Sequence, residues 1–277
     1  MLYRFTSLIS FCNINLVTYD DHLIIQTVEM WPEVEAAKKD NRKELLLDGA
    51  AISKRIEESG GLDSGLFELK DLNFLRISQT SLQTVDSQLS QLSEKLTSLV
   101  LHQNSLTELP DAIGDLVHLK FLDVAGNKLT ELNSAVCKLT ALLTLNVSQN
   151  EIAAIPDVSG LSNLHEFLVT SNKLCEFPEG ICSLEHLATV QADHNQIAAL
   201  PTNISEMRML KALHLADNQL VDLPPSLVLL DKLRVLDLRG NKFSDRRLLK
   251  LANVDQTQPK GVFKFLKPLH DKQSAGM

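Results

Sequence analysis

The sequence predicts an α/β solenoid of about eight coils, each 22–24 residues long, with a parallel sheet on the concave face and helical caps at both ends. Three observations support this fold class. Leucines recur at a nearly constant interval, and an asparagine follows each leucine cluster at a fixed offset. The chain is 44% hydrophobic but only 5% aromatic. A leucine-rich core with few aromatic residues is typical of one small packing unit used many times.

The interval between units is the strongest of these observations. Successive units start 24, 23, 23, 22, 23, 23 and 23 residues apart, and six of the eight are close to the template LxxLxLxxNxLxxLPxxIxxLxx. Within LxLxx the apolar residues alternate with period two, which predicts a short strand with buried leucines and outward intervening side chains. The rest of each unit returns along the outer face. The units start at Leu72, Leu96, Leu119, Leu142, Leu164, Leu187, Leu210 and Leu233.

The ninth position of each unit predicts a column of buried asparagines. After the strand the backbone turns sharply and leaves interior N–H and C=O groups without partners in the sheet. A side-chain amide both donates and accepts, so stacked asparagines can satisfy these groups in adjacent coils. Replacing one by alanine is expected to cost about 1–3 kcal/mol. Thr80 takes this position in the first unit, and the others hold Asn104, Asn127, Asn150, Asn172, Asn195, Asn218 and Asn241.

Residues 30–71 are predicted to form a helical N-terminal cap before the repeats at 72–242, because a solenoid exposes its core at each end unless it is covered. We expect two short helices, with Pro32 at a first helical position and with Gly49 and Gly60 as helix stops. A partner-binding amphipathic helix is the alternative for this segment. The residues expected to cover the first coil are Val34, Leu45, Leu46, Ile52 and Ile56.

Residues 243–277 are predicted to form the C-terminal cap and a tail. Phe243 takes the position of a repeat leucine, and Ser244 is the expected N-cap of a helix. Leu248, Leu249 and Leu251 can cover the core from that helix. The basic, amphipathic segment KGVFKFLKPLHDK follows, and we expect it to pack on the cap rather than to bind a surface.

Residues 1–29 are expected to be a disordered or spurious extension. A signal peptide is the alternative, because Arg4 precedes a short apolar stretch. Asn13 and Asn15 interrupt that stretch, and acidic residues follow where small residues would be cleaved. No run of the sequence has the length and apolarity of a membrane span, so we expect no membrane association.

The net charge and the cysteine pattern limit the expected partners and the expected cellular location. The formal net charge is −8 and the pI about 5.5, so the chain repels phosphate backbones on average and nucleic acid is not an expected partner of this chain. The four cysteines form no CxxC pair, which favours a reducing compartment and a cytoplasmic location. We expect a monomer.

Motifs for catalysis and for cofactors are missing from the sequence, which predicts a non-enzymatic protein with no cofactor. Its histidines raise the question of a metal site. Of those expected on the concave face, only His194 and His214 lie in adjacent coils, with Asp193 and Asp217 beside them. Because zinc requires three or four converging ligands, we expect no metal site.

The outward side chains of the strands predict a protein-binding surface on the concave face. An apolar centre flanked by charge is typical of such an interface, and aromatic residues there carry most of the affinity. Phe121 is the expected anchor, although single exposed hydrophobic residues are also common on surfaces that bind nothing. The candidate residues are Arg76, Val100, His102, Phe121, Asp123, Asn146, Leu168, Gln191, Asp193, His214, Asp237 and Arg239.

The segments ELPDAIGDL, EFPEGICSL and ALPTNISEM resemble the outer part of intracellular leucine-rich repeats, a class that includes Ras-binding scaffolds. The ends, WPEVE with RKELLLDG and then GNKFSDRRL, resemble the family of leucine-rich repeat-containing protein 47 over roughly residues 31–255. This second resemblance implies an RNA- or translation-associated accessory protein, whereas the resemblance to the class with Ras-binding scaffolds implies a signalling scaffold of the Ras-pathway type. Both are alternatives to the protein-binding scaffold that the concave face predicts. The family continues into a module similar to part of the phenylalanyl-tRNA synthetase β chain. The chain stops at Met277 without it, so RNA binding by that module is not expected here.

Overall fold

The computed structural model of the protein describes residues 14–19, 22–27, 30–253 and 258–275. Two strands near the N-terminus, β1 (Ile14–Tyr19) and β2 (His22–Thr27), pair antiparallel. Part of the segment 1–29 therefore forms a hairpin, and the rest of it lies outside the described residues. That residues 1–29 are a disordered or spurious extension stays a prediction.

Nine strands form one parallel sheet in which each strand lies beside the next along the chain. The predicted stack of coils is therefore confirmed. The first two strands of the sheet have five residues and the other seven have three, and the chain returns along the outer face between successive strands. The strands are β3 (Glu44–Asp48), β4 (Phe74–Ser78), β5 (Ser98–Val100), β6 (Phe121–Asp123), β7 (Thr144–Asn146), β8 (Glu166–Leu168), β9 (Thr189–Gln191), β10 (Ala212–His214) and β11 (Val235–Asp237).

The alternation of burial within each strand defines the two faces of the sheet. In β6, Leu122 is fully buried while Phe121 and Asp123 are half-buried. Most coils return through a short 3₁₀ helix, and the coil of 22 residues between β7 and β8 returns through turns instead. This unit is therefore one residue shorter in the outer segment, where no sheet register constrains the length. The 3₁₀ helices are Ser64–Glu68, Ser87–Leu92, Asp111–Asp115, Ser134–Lys138, Ile181–Ser183, Ile204–Glu206 and Pro225–Leu229.

The seven asparagines at the ninth position form one buried column, with exposed fractions between 1% and 8%. Asn127 is representative. Its Nδ2 donates to the carbonyl oxygen of Leu101 in the preceding coil (2.9 Å) and to that of Val124 in its own (2.9 Å). Its Oδ1 accepts the N–H of Leu106 (3.0 Å). Each asparagine thus ties two coils together through groups that would otherwise be buried without partners.

The residue before each asparagine lies in the left-handed region of backbone conformation. This eighth position has φ between 53° and 82° in all nine coils. Only three of the nine residues are glycines, among them Gly240, whose φ is 70°. The sharp turn that ends every strand therefore constrains the backbone even where a side chain is present, and β-branched residues would be strained there.

The N-terminal cap differs from the predicted pair of helices. Helices α1 (Pro32–Lys39) and α2 (Ala50–Ser59) are present, with Val34, Ile52 and Ile56 buried, but Leu45 and Leu46 lie in β3 between them. Strand alternation turns Leu45 inward (3% exposed) and Leu46 outward (48% exposed), so Leu46 does not cover the core. The cap therefore contains a ninth coil.

The two glycines of this cap have different roles. Gly49, predicted as a helix stop, instead occupies the eighth position of the ninth coil and precedes α2. Gly60, with φ of 75°, ends α2 as predicted. The strand Glu44–Asp48 explains the difference, because a residue that follows a strand in this fold takes the left-handed turn before the outer segment begins.

The C-terminal cap consists of α3 (Arg246–Ala252) and α4 (Lys260–Ala275), which contact each other. The N-cap of α3 is Asp245 rather than the predicted Ser244, because the Asp245 side chain accepts the N–H groups of Arg247 and Leu248. Phe243 and Leu248 are buried, while Leu249 and Leu251 are partly buried. The basic tail forms α4, which buries Val262 and Leu266 against the cap and the 3₁₀ helix Pro225–Leu229.

None of the helices within the described ranges combines the length and the apolarity needed to cross a bilayer.

Adjacent coils pack so closely at Gly160 that a side chain there is expected to destabilise the protein. A Cβ atom there would lie 2.2 Å from the backbone oxygen of Cys137, which cannot move without shifting its coil. We expect Gly160→Ala to lower the free energy of unfolding by about 1–3 kcal/mol, as overpacking does. Urea unfolding followed by circular dichroism measures this change. Gly61→Ala is the matched control, because no atom lies within 4 Å of its Cβ position. Equal stability of the two variants would contradict the close coil contact.

Candidate functional site

The outward side chains of the nine parallel strands form rows across the concave face. In one row Phe74, Ser98 and Phe121 are neighbours in register, and in the next row Arg76, Val100 and Asp123 are neighbours. Adjacent members of a row lie on strands about 4.8 Å apart. Because hydrogen bonds of the sheet and the buried core beneath it fix every strand, these side chains keep their relative positions without a bound partner.

The aromatic patch, defined as Phe74, Ser98 and Phe121, is an apolar part of this face. Both phenylalanines are half-buried, and the small residue Ser98 lies between them in register. Val100, which we expected to add to the apolar surface, is only 7% exposed. Val100, which lies between Arg76 and Asp123 in its row, therefore offers little surface to a partner.

Both arginines among the candidate residues are engaged by carboxylates of the same face. Arg76 donates through Nε to Asp48 (3.0 Å), and Ser78 donates its hydroxyl to the same carboxylate (2.5 Å). Burial acts to raise the pKa of Asp48, but the hydrogen bonds from Arg76 and Ser78 outweigh it, so the pKa is lowered overall. Arg239 binds Asp237 through two hydrogen bonds of 2.9 and 2.6 Å. Each arginine is therefore paired with a carboxylate of this chain and offers little uncompensated positive charge to a partner.

Several polar residues at the strand ends hold the backbone turn. The side-chain oxygens of Asp123 and Asn146 accept the N–H group two residues later, at 2.9 and 3.1 Å. Part of each side chain is thus committed to the fold, which the sequence pattern did not reveal. His102, Leu168 and Gln191 lie half-buried on the concave face, as expected from their positions in the template.

Three side chains converge at the C-terminal end of the concave face. Asp193, His214 and Asp237 each place one oxygen or nitrogen atom within 4.8 Å of the others, and we call these residues the Asp–His–Asp cluster. His194, which we expected beside His214, instead pairs with Asp217 at 3.3 Å on the neighbouring turn. The sequence analysis placed Asp193 beside these histidines, but it did not associate Asp237 with them.

The register of the sheet explains why these three residues meet, and part of this register could have been predicted from the sequence. His214 and Asp237 both occupy the fifth position of their coils and are direct neighbours on β10 and β11. Asp193 follows β9, and its Oδ1 accepts the N–H of Ala216 at 2.7 Å, which holds its carboxylate beside His214. Burial raises the pKa of Asp193, whereas the hydrogen bond from Arg239 lowers that of Asp237. Comparing fifth positions in adjacent units would have identified the His214–Asp237 pair.

Comparisons with known proteins agree with this architecture. Residues 61–177 match a family model described as a leucine-rich repeat region. A leucine-rich-repeat protein of Leptospira interrogans is 26% identical, with a TM-score of 0.56 over 75% of this chain and 56% of that chain. The chain of a TLR13–ssRNA13 complex is 30% identical, with a TM-score of 0.59 over 66% and 27% of the two chains. The plant peptide hormone receptor RGFR1, solved with RGF2, is 25% identical, with a TM-score of 0.50 over 65% and 34%. The chain spans only part of each of these proteins, a little over half of the first.

Proposed function

We infer from its leucine-rich-repeat fold that this chain is a non-enzymatic scaffold that binds a protein partner on its concave face. Leucine-rich repeats generally mediate protein–protein interactions, and RGFR1, one of the structurally similar chains, is a peptide hormone receptor. The observation that carries the proposal is the aromatic patch of Phe74, Ser98 and Phe121, which is held on a parallel sheet and is half-buried.

Rigidity of the face favours binding. The strands are fixed by a buried asparagine column and by a continuous leucine core, so a partner orders few groups of this chain when it binds. Lower ordering entropy leaves more of the contact energy as affinity. Acidic residues lie around the patch. Glu44 is beside Phe74 in the same row, Asp123 is on the same strand as Phe121, and Glu166 is two strands from Phe121. A partner that inserts an apolar group into the patch and has polar or basic residues around that group therefore fits this face.

Phe121→Glu tests the proposed face. A carboxylate in place of the ring removes the apolar contact and places a charge in the interface, so we expect affinity for a concave-face partner to fall by about thirtyfold or more, as at an interface hot spot. Cross-linking followed by quantitative pull-down identifies partners, and calorimetry with the purified partner measures affinity.

Val117→Glu is the matched control, because it introduces the same charge at an exposed apolar residue (51% exposed) outside the strands. It should leave partner recovery unchanged. Equal recovery of every partner by Phe121→Glu and by the wild type, with both folded by circular dichroism, would exclude the aromatic patch as the binding surface.

A second proposal comes from the resemblance of the chain ends to the family of leucine-rich repeat-containing protein 47. Under this proposal the chain is the repeat region of a cytoplasmic accessory protein of translation, and its partner belongs to that machinery. The net charge of −8 predicts that this chain itself does not bind tRNA saturably at physiological salt. Filter binding with tRNA tests that expectation, and co-sedimentation of the chain with ribosomes or synthetases tests the association.

A further inference from the structure

The Asp–His–Asp cluster has the composition of a metal site. Its three ligand atoms come from three successive coils, which the sheet and the asparagine column hold in place. Tetrahedral zinc holds its nitrogen and oxygen ligands about 3.3–3.5 Å apart. The three atoms lie within 4.8 Å of one another, so side-chain rotations that shorten these separations would bring them to coordinating distance. A cluster supported by rigid coils requires little reorganisation when an ion binds.

A second observation at the same place points to a missing ligand. The hydroxyl oxygen of Thr170 is inaccessible to solvent and, in the part of the chain described, has no hydrogen-bond partner. Thr170 lines a hollow of about 590 Å³ together with Asp193, His214 and Asp237. A buried hydroxyl without a partner is costly. Rotation of the Thr170 side chain would turn this oxygen toward the hollow, where a water on a bound ion would supply the partner that it lacks.

Arg239 is compatible with coordination of an ion by Asp237. A carboxylate has about four lone-pair sites, and the hydrogen bonds from Arg239 leave capacity for a further ligand. Outer groups of this kind commonly orient the ligands of metal sites. The hydrogen bond from Ala216 orients Asp193 in the same way (2.7 Å). Each carboxylate of the cluster is thus partly oriented by hydrogen bonds of the fold before an ion arrives.

The residue types of the cluster select among cations. Calcium and magnesium prefer oxygen ligands and high coordination numbers, whereas imidazole nitrogen suits zinc and other transition metals. We propose that Asp193, His214 and Asp237 bind a divalent transition-metal ion of the zinc type, with water or a partner group completing its coordination. Binding of the ion at this cluster does not require a partner on the aromatic patch, so the two proposals can fail separately.

Cobalt(II) titration of the full, chelator-treated chain tests this site, because bound Co²⁺ absorbs visible light according to its geometry and Zn²⁺ displaces it. We expect saturation at one equivalent in the wild type. His214→Gln should weaken binding more than about a hundredfold, since even the loss of an outer group typically costs 10–100-fold. Asp193→Asn should weaken it by at least about tenfold. His102→Gln, at another half-buried histidine of the concave face, is the matched control and should bind like the wild type.

Three outcomes would overturn the site. The first is no saturable Co²⁺ absorption in the wild type, the second is unchanged affinity in both His214→Gln and Asp193→Asn, and the third is binding of the ion at a cysteine thiol. A cysteine thiol is the alternative binding site for the ion. Burial raises the pKa of Cys137 and of Cys182 to about 11, so both thiols are protonated at neutral pH, and Cys175 is exposed. Loss of the signal in Cys175→Ser, with retention in His214→Gln, would place the ion at the thiol instead and would equally exclude the cluster.

Discussion

Replacing Phe167 by alanine is expected to lower the free energy of unfolding by about 3–5 kcal/mol, the range for removing a buried aromatic side chain. Phe167 is 1% exposed and lies on the core side of β8, between Leu145 on β7 and Val190 on β9. The neighbouring coils are fixed by the sheet and cannot collapse into the cavity. Urea unfolding of the variant, followed by circular dichroism, measures the loss.

Phe121→Ala is the matched control for this prediction. Phe121 is the same residue type on the same sheet, but it lies on the concave side of β6 and is half-buried. Its loss removes little core contact, so we expect a decrease of less than about 1 kcal/mol. Similar losses for Phe167→Ala and Phe121→Ala would mean that the two faces of the sheet are assigned incorrectly.

The constant interval of leucines and asparagines was sufficient to predict the repeats from the sequence, because each template position has one physical role. The ninth coil was not predicted because it lacks the leucine and the asparagine that define the template. In that coil Arg42 and Ala50 stand where other units have the first leucine and the asparagine, as the register of Leu45 with Leu75 shows. A terminal coil has no preceding coil whose backbone groups an asparagine would satisfy, so β3 carries a weaker form of the pattern.

The concave face could be predicted as a set of positions but not as a set of available side chains. The template places Arg76 outward, but the carboxylate that binds it, Asp48, belongs to the coil that the pattern did not identify. Val100 also points to the concave face by register and is nevertheless covered. Contacts between side chains of adjacent coils depend on their conformations as well as on position. A template can therefore predict rows of neighbours, while the contacts between them require coordinates.

Asn218→Ala is expected to lower the free energy of unfolding by about 2–4 kcal/mol, combining an unpaired buried group with a small cavity. The Asn218 side chain is 1% exposed and accepts the N–H of Ile197 at 3.0 Å. It also donates to the carbonyls of Ala192 (2.9 Å) and Leu215 (3.2 Å). These two carbonyls keep a bond from another asparagine of the column, Asn195 or Asn241. The N–H of Ile197 therefore accounts for most of the polar cost.

Asn163→Ala separates the effect of the column from that of asparagine in general. The Asn163 side chain also donates to a backbone carbonyl, that of Thr140 at 2.8 Å, but it is exposed, so water replaces the lost bond. We expect a change within about 0.5 kcal/mol for this variant. Hydrogen exchange provides the local measurement, because Asn218→Ala should speed exchange of the Ile197 amide more than that of amides in distant coils. Equal stability of the two variants, with the Ile197 amide still protected, would show that the coils are held by leucine packing without the asparagine column.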